Sequence, residues 1–256
     1  MAEAGALEAR LYGKLEGHEA VMLAGLPGMG YVAKQVVDYF ISEVKAVPFG
    51  EVYSRHLYPS VVVFNEGVME SLLDKKLYRF YLAKLPNLDL LLFTGEAQPS
   101  SAEAQRMLAD EVARAAAEAG VKRVFTMAAY PVLGHVEEPR VYVVATSASL
   151  LRELVGWGLT AMPGRSSISG VNGLLLEYVA QRGMEGACLL SETFIIDAPD
   201  VKAAAALVKS LNAGLKLNVD TSKMEEMAER FDEDLHRQYE QMRRARGIEK
   251  GLGYIY

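Results

Sequence analysis

A turn rich in serine and glycine, residues 166–173, is the stretch of this sequence that most resembles a ligand site. It reads Ser-Ser-Ile-Ser-Gly-Val-Asn-Gly and precedes an apolar, helix-like run at residues 174–179. Backbone N–H groups at the start of a helix lack partners within the helix, so such a turn can hold an anion or a polar substrate. The turn contains no histidine, cysteine, lysine or carboxylate that could act as an acid, base or nucleophile. The pattern therefore favours structure or binding over catalysis, and we predict no catalytic residue.

A second glycine-rich turn follows the apolar run at residues 20–24. Gly28, Gly30 and Ala33 match the G-x-G-x-x-A dinucleotide fingerprint between a predicted strand and a predicted helix. Glu51 lies about 20 residues further on, where a ribose-binding carboxylate is expected. However, Pro27 lies inside the turn, and no Gly-Lys-Ser/Thr follows as a P-loop requires. We interpret the segment as a tight strand-to-helix turn, with a nucleotide-binding enzyme that uses Gly28, Gly30 and Glu51 as the alternative.

Two carboxylates, Glu96 and Glu192, lie near the ends of predicted strands, the edge at which open α/β sheets bind ligands. Together with Asn172 they could serve a small-molecule phosphorylase or hydrolase, but we expect them to cap turns. The G-x-S-x-G pattern of a nucleophile elbow fails, because isoleucine occupies position 168. His135 could bind a metal or act as a base, but its context favours a turn with solvated charges. No two histidines have helical metal-ligand spacing, so no metal site is predicted.

Short apolar runs alternate with longer amphipathic ones along most of the chain. This alternation is typical of a mostly parallel sheet with helices on both faces. Residues 1–218 are therefore predicted to form a single three-layer α/β sandwich domain. Strands are predicted at 20–24, 61–65, 77–82, 88–94, 121–127, 140–145 and 187–191, and helices at 31–42, 101–119, 149–157, 172–181 and 201–213.

Residues that can cap or end a helix lie at several of the predicted helix boundaries. Ser100 or Ser101 can cap the helix that runs to residue 119, and Gly120 can end it with a positive φ. The segment 197–200 ends a strand and begins the next helix in the same way.

Residues 219–256 form a separate C-terminal segment, which begins with a long helix at 221–245. Ser222 and Glu225 match a capping box at its start. Apolar residues recur along the helix at spacings of three and four and form one stripe. The stripe either covers a flank of the same chain or packs against another copy in a homo-oligomer. Its members are Met224, Met227, Phe231, Leu235, Tyr239 and Met242.

The final residues are glycine-rich and end in Tyr254-Ile255-Tyr256. Aromatic and aliphatic residues at the end of a tail carry a solubility cost unless a surface receives them. The tail is therefore expected either to dock on a partner or to fold back on its own protein.

Composition narrows the class of protein further. The chain has 256 residues, 51% of them hydrophobic, and a net charge of −6. A negative balance argues against nucleic acid as the main partner, because phosphate binding needs a basic surface. The absence of a long apolar run or a leader-like N-terminus argues against a membrane partner and favours the cytoplasm. The single cysteine, Cys188, lies in an apolar run and is predicted to be a buried thiol.

Four of these segments, taken in order, resemble the proteasome assembly chaperone family, specifically its second-subunit type and the archaeal homologues. The segments are Gly25-Leu-Pro-Gly-Met-Gly30, Phe93-Thr-Gly-Glu-Ala-Gln-Pro99, Ser169-Gly-Val-Asn-Gly-Leu-Leu-Leu176 and Leu189-Leu-Ser-Glu-Thr193. Each is short, but together they span nearly the whole predicted sandwich.

The resemblance implies a phosphorylase-like sandwich that self-associates and binds proteasome α-subunits without a cofactor and without consuming ATP. Many such proteins end in a hydrophobic residue, tyrosine and any residue, and this tail inserts between α-subunits. Here the tail is Tyr254-Ile255-Tyr256, with isoleucine at the penultimate position. A partner-binding tail, an oligomer built through the long helix, and a role in core-particle assembly are the resulting expectations.

Overall fold

The computed structural model describes residues 7–15, 19–53, 57, 62–71, 77–194 and 198–245. The strands are β1 (Glu8–Leu11), β2 (Glu19–Gly25), β3 (Val47–Tyr53), β4 (Val63–Asn65), β5 (Val68–Glu70), β6 (Tyr78–Lys84), β7 (Leu88–Gly95), β8 (Arg123–Pro131), β9 (Val141–Ala145), β10 (Thr160–Ala161) and β11 (Glu185–Thr193). The helices are α1 (Val32–Glu43), α2 (Ala102–Glu118), α3 (Ala148–Gly156), α4 (Gly170–Gln181), α5 (Val201–Gly214) and α6 (Ser222–Ala245).

Nine of these strands form one sheet in the order β1-β3-β6-β7-β2-β8-β11-β9-β10. The four central strands, β7, β2, β8 and β11, run parallel to one another. Antiparallel pairings flank them on both sides, with β6 beside β7 and β9 beside β11. The carboxyl ends of the central strands therefore share one edge of the sheet.

Helices cover both faces of this sheet. On one face α1, α3 and α5 bury Val36, Leu154 and Leu207 against the strands. On the other face α2 and α4 bury Leu108 and Leu175. The arrangement confirms the predicted three-layer α/β sandwich.

The helix boundaries follow the predicted capping chemistry. The Ser101 hydroxyl accepts a hydrogen bond from the Ala104 N–H, and the Asp200 carboxylate accepts one from the Ala203 N–H. Gly120 follows α2 with a φ of 91°. These local signals explain why the predicted helix ends agree with the observed ones to within about two residues.

The sequence did not predict β1, β3, β5 or β10. Pro48 and Gly50 interrupt β3, and its pairing with β6 shifts register between them, so the strand lacks a regular alternation. The strand predicted at 61–65 appears as β4, Val63–Asn65, which pairs with β5 in a small hairpin that is separate from the nine-stranded sheet.

The outer strand β1 is held by α2 as well as by β3. The Ala9 N–H donates to the Glu111 carboxylate, and Arg114 contacts both oxygens of that carboxylate at 2.9 and 2.6 Å. A side chain thus occupies a backbone donor on the edge strand, which is one way in which sheets avoid pairing with other chains.

Helix α6 runs back along α5. The Asn212 side chain bonds the Val219 backbone where the two helices are joined, and Lys202 at the start of α5 contacts Asp232 of α6 at 2.9 Å. The predicted Ser222 cap was wrong, because the Ser222 N–H instead donates to the Asp220 carboxylate. Among the described residues, no helix is both long and apolar enough to cross a membrane.

Candidate functional site

The four turns singled out from the sequence meet at the carboxyl edge of the central strands. Two of them follow β2 and β7, one precedes α4, and the fourth is the end of β11 itself. The side chains of Gln98 and Asn172 reach from two of these turns to the backbone of the others. The geometry of these contacts decides whether the edge is available to a ligand.

Asn172, in the first turn of α4, is bound to the turn after β2. Its side-chain oxygen accepts the Leu26 N–H at 3.0 Å, and its side-chain nitrogen donates to the Leu26 carbonyl at 3.2 Å. The side chain is buried. Both polar atoms of Asn172 therefore hold two segments of the chain together.

Gln98, which follows β7, makes a similar link. Its side-chain nitrogen donates to the Pro27 carbonyl at 2.7 Å, and its side-chain oxygen accepts the Val171 N–H at 2.9 Å. Val171 lies in the first turn of α4. One of the N–H groups that the sequence suggested for an anion is thus taken by Gln98.

Gly30 connects the same turn to α5. It adopts a left-handed conformation with a φ of 60°, which favours glycine, and its carbonyl accepts the Asp200 N–H at 2.8 Å. The Asp200 carboxylate accepts hydrogen bonds from the Ala203 N–H and the Thr193 hydroxyl. Asp200 therefore joins the end of β11, the start of α5 and the glycine turn.

Gly25, the last residue of β2, allows α1 to approach the sheet closely. A Cβ at this position would lie 2.3 Å from the Ala33 carbonyl oxygen. Ala33, the last residue of the fingerprint, thus packs α1 against the end of β2. We call the set of Gln98, Asn172 and Asp200 with the backbone of residues 25–30 the interlocked turns.

Glu51 does not lie where a ribose-binding carboxylate would. It is on β3, which is separated from β2 by β6 and β7. In a dinucleotide fold the corresponding strand lies beside the first one. The structure therefore does not bring Glu51 to Gly28 and Gly30.

The two predicted carboxylates are engaged with neighbouring groups. Glu192 accepts hydrogen bonds from the Arg140 N–H at 3.1 Å and the Tyr142 hydroxyl at 3.0 Å, and so tethers the loop before β9. Glu96 lies 3.6 Å from the Lys34 ammonium group. Neither carboxylate is brought together with Asn172 into a catalytic arrangement.

Beside the interlocked turns lies an open cleft of about 1200 Å³, which we call the sheet-edge cleft. Its floor is apolar and includes Ala128, Val144 and Leu190, and Leu176 of α4 forms one wall. Gly28, Gln98 and Asn172 of the interlocked turns also line the cleft, as do Met162, Arg165, Ser166 and Ser167 from the loop before α4.

Cys188 lies beneath this floor, packed with Leu176 and Leu190. It is fully buried, and burial raises the pKa of its thiol to about 12. The prediction of a buried cysteine is confirmed.

His135 takes part in anchoring α6. Its Nε2 lies 3.2 Å from the Asp232 carboxylate, and its ring meets the Phe194 ring edge-to-face at 5.4 Å. Within the described ranges, no three histidine, cysteine or acidic residues cluster as metal ligands.

The predicted interface stripe on α6 divides into two parts. Met224 is buried in the core of its own chain, whereas Met227 is 44% exposed. Phe231 and Leu235 are half-buried. The side chains of Tyr239 and Met242, and the whole of Tyr254–Tyr256, lie outside the described residues.

Gln98 lies in the family-like segment Phe93–Pro99, but the sequence alone indicates no role for it. Its partners at Pro27 and Val171 are 71 and 73 residues away along the chain. No local periodicity or spacing signals a contact of that kind.

Comparison with known proteins gives consistent matches. A model of the PAC2 family matches residues 22–239. An uncharacterized protein of Methanocaldococcus jannaschii is 27% identical over 231 residues, which cover 88% of this chain and 86% of that protein.

Two solved structures from Pyrococcus furiosus are similar over nearly their full lengths. PbaB, an archaeal proteasome activator, has a TM-score of 0.78 and 28% identity, and the match covers 91% of this chain and 98% of PbaB. PbaA, an archaeal homolog of proteasome-assembly chaperone, has a TM-score of 0.71 and 26% identity, with 94% and 95% covered.

Proposed function

The chain belongs to the PAC2 family, and from that membership we propose that it is a non-catalytic, homo-oligomeric chaperone that binds proteasome α-subunits. In this role it assists or modulates assembly of the core particle in the cytoplasm, without a cofactor or ATP. The observation that carries the proposal is the similarity to PbaB, an archaeal proteasome activator, over 98% of that chain. The similarity to PbaA, an archaeal homolog of proteasome-assembly chaperone, points to the same class of partner.

The interlocked turns support a role without chemistry. The side chains of Asn172 and Gln98 bond the backbone of neighbouring turns. The Asp200 carboxylate bonds the Ala203 N–H at the start of α5 and the Thr193 hydroxyl at the end of β11. General acid–base catalysis requires a titratable group within hydrogen-bond reach of a substrate atom. The edge that usually carries such groups in α/β sheets is used here to fix the fold.

Two surfaces are assigned to partners. The stripe on α6 is proposed to contact another copy, through Met227, Phe231, Leu235, Tyr239 and Met242, while Met224 anchors the helix to its own core. The tail residues Tyr254, Ile255 and Tyr256 are proposed to contact the α-subunit.

The direct test is size-exclusion chromatography with light scattering, on the protein alone and mixed with α-subunits from the same source. A discrete homo-oligomer that co-migrates with α-subunits is expected. Replacing Tyr254 and Tyr256 with alanine should weaken the complex, whereas Tyr12→Ala, at a tyrosine that is 54% exposed elsewhere, should leave it unchanged. Failure of the unmodified protein to bind any α-subunit would overturn the proposal.

The competing function is nucleotide binding at Gly28 and Gly30. It predicts saturable binding of ATP or NAD that is lost when Gly30 is replaced by a bulky residue. We expect a flat titration with both nucleotides, because the turn is bonded to Asn172, Gln98 and Asp200.

A further inference from the structure

We propose that the hairpin of β4 and β5 in one copy of the protein inserts into the sheet-edge cleft of a second copy. We call this hairpin, residues 62–71, the arm. The inference rests on the self-association in the proposed function, and it names the two surfaces that meet. It does not depend on binding to α-subunits or on the stripe of α6.

The arm exposes apolar side chains that it cannot bury by itself. Phe64 and Met69 lie opposite each other across its two strands, and the connecting residues Glu66 and Gly67 have φ values of 49° and 81°, as in a type I′ turn. A lone two-stranded hairpin has no room for a core. The side chains that are between 67% and 71% exposed are Val62, Phe64, Val68 and Met69.

The exposed apolar area is about what a contact between subunits requires. The four side chains expose on the order of 400 Å² of apolar surface. A standard interface buries about 800 Å² on each partner, and a little over half of that area is apolar. The arm therefore supplies nearly all of the apolar area that one side of such an interface needs.

The sheet-edge cleft is a concave surface of matching chemistry. Its volume of about 1200 Å³ exceeds the usual size for a small ligand and has room for several side chains. The floor, with Val144 and Leu190, and the wall at Leu176 are apolar. Burial of the arm against these residues removes apolar surface from water on both partners.

The charges at the two surfaces are complementary. The arm contains Glu66 and Glu70 and no lysine or arginine. The loop before α4, residues 162–169, contains one charged residue, Arg165, which is exposed and lines the cleft. The other charged residue of the lining is Glu177 on α4. Opposite charges fix the register of a contact, so we expect Glu66 at the tip of the arm to lie on the Arg165 side.

The position of the arm separates it from the cleft of its own chain. It leaves the sheet at the carboxyl edge between β3 and β6, where Tyr78 lies opposite Gly95 at the end of β7. From β6 to β11 there are four strand spacings, or about 19 Å. The strands of the arm have three residues each and are about 10 Å long. No described residue of the arm lines the cleft.

The base of the arm is fixed to its own sheet. Leu57 is buried, and its carbonyl accepts a hydrogen bond from the Tyr78 hydroxyl at 3.1 Å. On the other side of the arm, the Glu96 N–H donates to the Leu77 carbonyl at 3.0 Å. The arm is thus held where a second copy can meet it.

Each copy offers one arm and one cleft on different parts of its surface. Such a contact can repeat from copy to copy, and in a closed oligomer every arm and every cleft is occupied. The cleft is then a site of subunit assembly.

The test is disulfide formation between two singly substituted chains, one of which carries a size tag. Met69→Cys places a thiol on the arm, and Ser167→Cys places one in the cleft lining. After subunit exchange, mild oxidation should join these two chains at least about tenfold faster than it joins Met69→Cys to the control, because docking raises the effective concentration of the thiols. The matched control is Ser42→Cys, at an exposed serine of α1 outside the cleft lining. The native Cys188 is buried and does not compete.

The chain that carries both Met69→Cys and Ser167→Cys distinguishes a second copy from the same copy. It should form disulfide-linked dimers and larger species. A disulfide closed within one chain would overturn the proposal, as would equal rates for Ser167→Cys and Ser42→Cys in a protein that light scattering shows to be an oligomer. Alkylation of the arm thiol that is slowed only by added α-subunits would assign the arm to the proteasome and would also overturn it.

The outcome for the proposed function is read separately. Linked oligomers that bind no α-subunit would reject the proposed function and retain the contact between arm and cleft. A protein that is monomeric by light scattering would reject self-association, and with it both proposals.

Discussion

At the carboxyl end of the central sheet, the buried side chains of Asn172 and Asp200 bond the backbone of neighbouring elements. At the amino end, the Asp89 carboxylate on β7 is fully buried, and neither oxygen has a hydrogen-bond partner among the described residues. Both ends place polar groups in a low-dielectric interior, where an unpaired group costs free energy. Asn172 and Asp200 recover that cost and Asp89 does not, so substitutions at Asn172 and at Asp89 should change the free energy of unfolding with opposite signs.

Asn172→Leu should have the largest effect and should lower the free energy of unfolding by about 3 kcal/mol, because it leaves the buried N–H and C=O groups of Leu26 unpaired. Chemical denaturation followed by circular dichroism measures this loss. Glu177→Gln, on an exposed position of the same helix, should change stability by less than about 0.5 kcal/mol. An equal response to both substitutions would mean that the interlocked turns do not stabilise the fold.

Asp89→Val should raise the free energy of unfolding by about 2 kcal/mol, because it removes a buried carboxyl group whose two oxygens have no hydrogen-bond partner among the described residues. The β-branched side chain also suits a strand. Ser191→Ala serves as the control, since it removes one buried hydroxyl that also has no hydrogen-bond partner within the described part of the chain, and its effect should be much smaller. A destabilised Asp89→Val protein would show that the carboxylate is satisfied in solution.

Glu111 at the lateral edge of the sheet offers the smallest effect, and it depends on pH. Burial acts to raise the pKa of its carboxyl, but the hydrogen bonds from Arg114 and the Ala9 N–H, with the charges of Arg114 and Arg182, outweigh burial and lower it. A carboxyl whose pKa is lowered by folding contributes stability above its unfolded pKa, and that stability is lost as the pH falls through the folded pKa.

Glu111→Gln should therefore cost on the order of 1 kcal/mol at pH 7, and the difference from the unmodified protein should shrink as the pH falls from about 4.3, the ordinary pKa of glutamate, through the lower pKa of the folded state. Denaturation midpoints measured across this range test the expectation. Glu229→Gln, at an exposed position of α6, is the control. A difference that does not change with pH would assign the effect of Glu111 to shape and not to charge.

The helices and central strands could be predicted because their signals are local. Apolar runs marked β2, β7 and β11, and Ser101, Gly120 and Asp200 marked helix ends where the structure has them. Strands β1 and β3 could not be predicted in this way, because Glu8–Leu11 is short and Pro48 and Gly50 interrupt the other. Their pairing depends on tertiary contacts such as that between Ala9 and Glu111.

The candidate site was only partly predictable for the same reason. The sequence identified the turns at Gly28, Gly30 and Asn172, and the resemblance to a family placed them in one fold. Neither the sequence nor the resemblance could show that the side chains of Asn172 and Gln98 bond segments more than 70 residues away. A turn filled by distant side chains and a turn open to a ligand have the same local sequence.

The reactivity of the Cys188 thiol can report on local opening of the sheet. It is the only cysteine in 256 residues, it lies beneath the floor of the sheet-edge cleft, and burial raises its thiol pKa to about 12. Alkylating reagents require an accessible thiolate, so the native molecule should be nearly inert to them. The rate at which such a reagent alkylates Cys188 in the natural sequence therefore measures how often the sheet opens next to the cleft. No engineered label is needed.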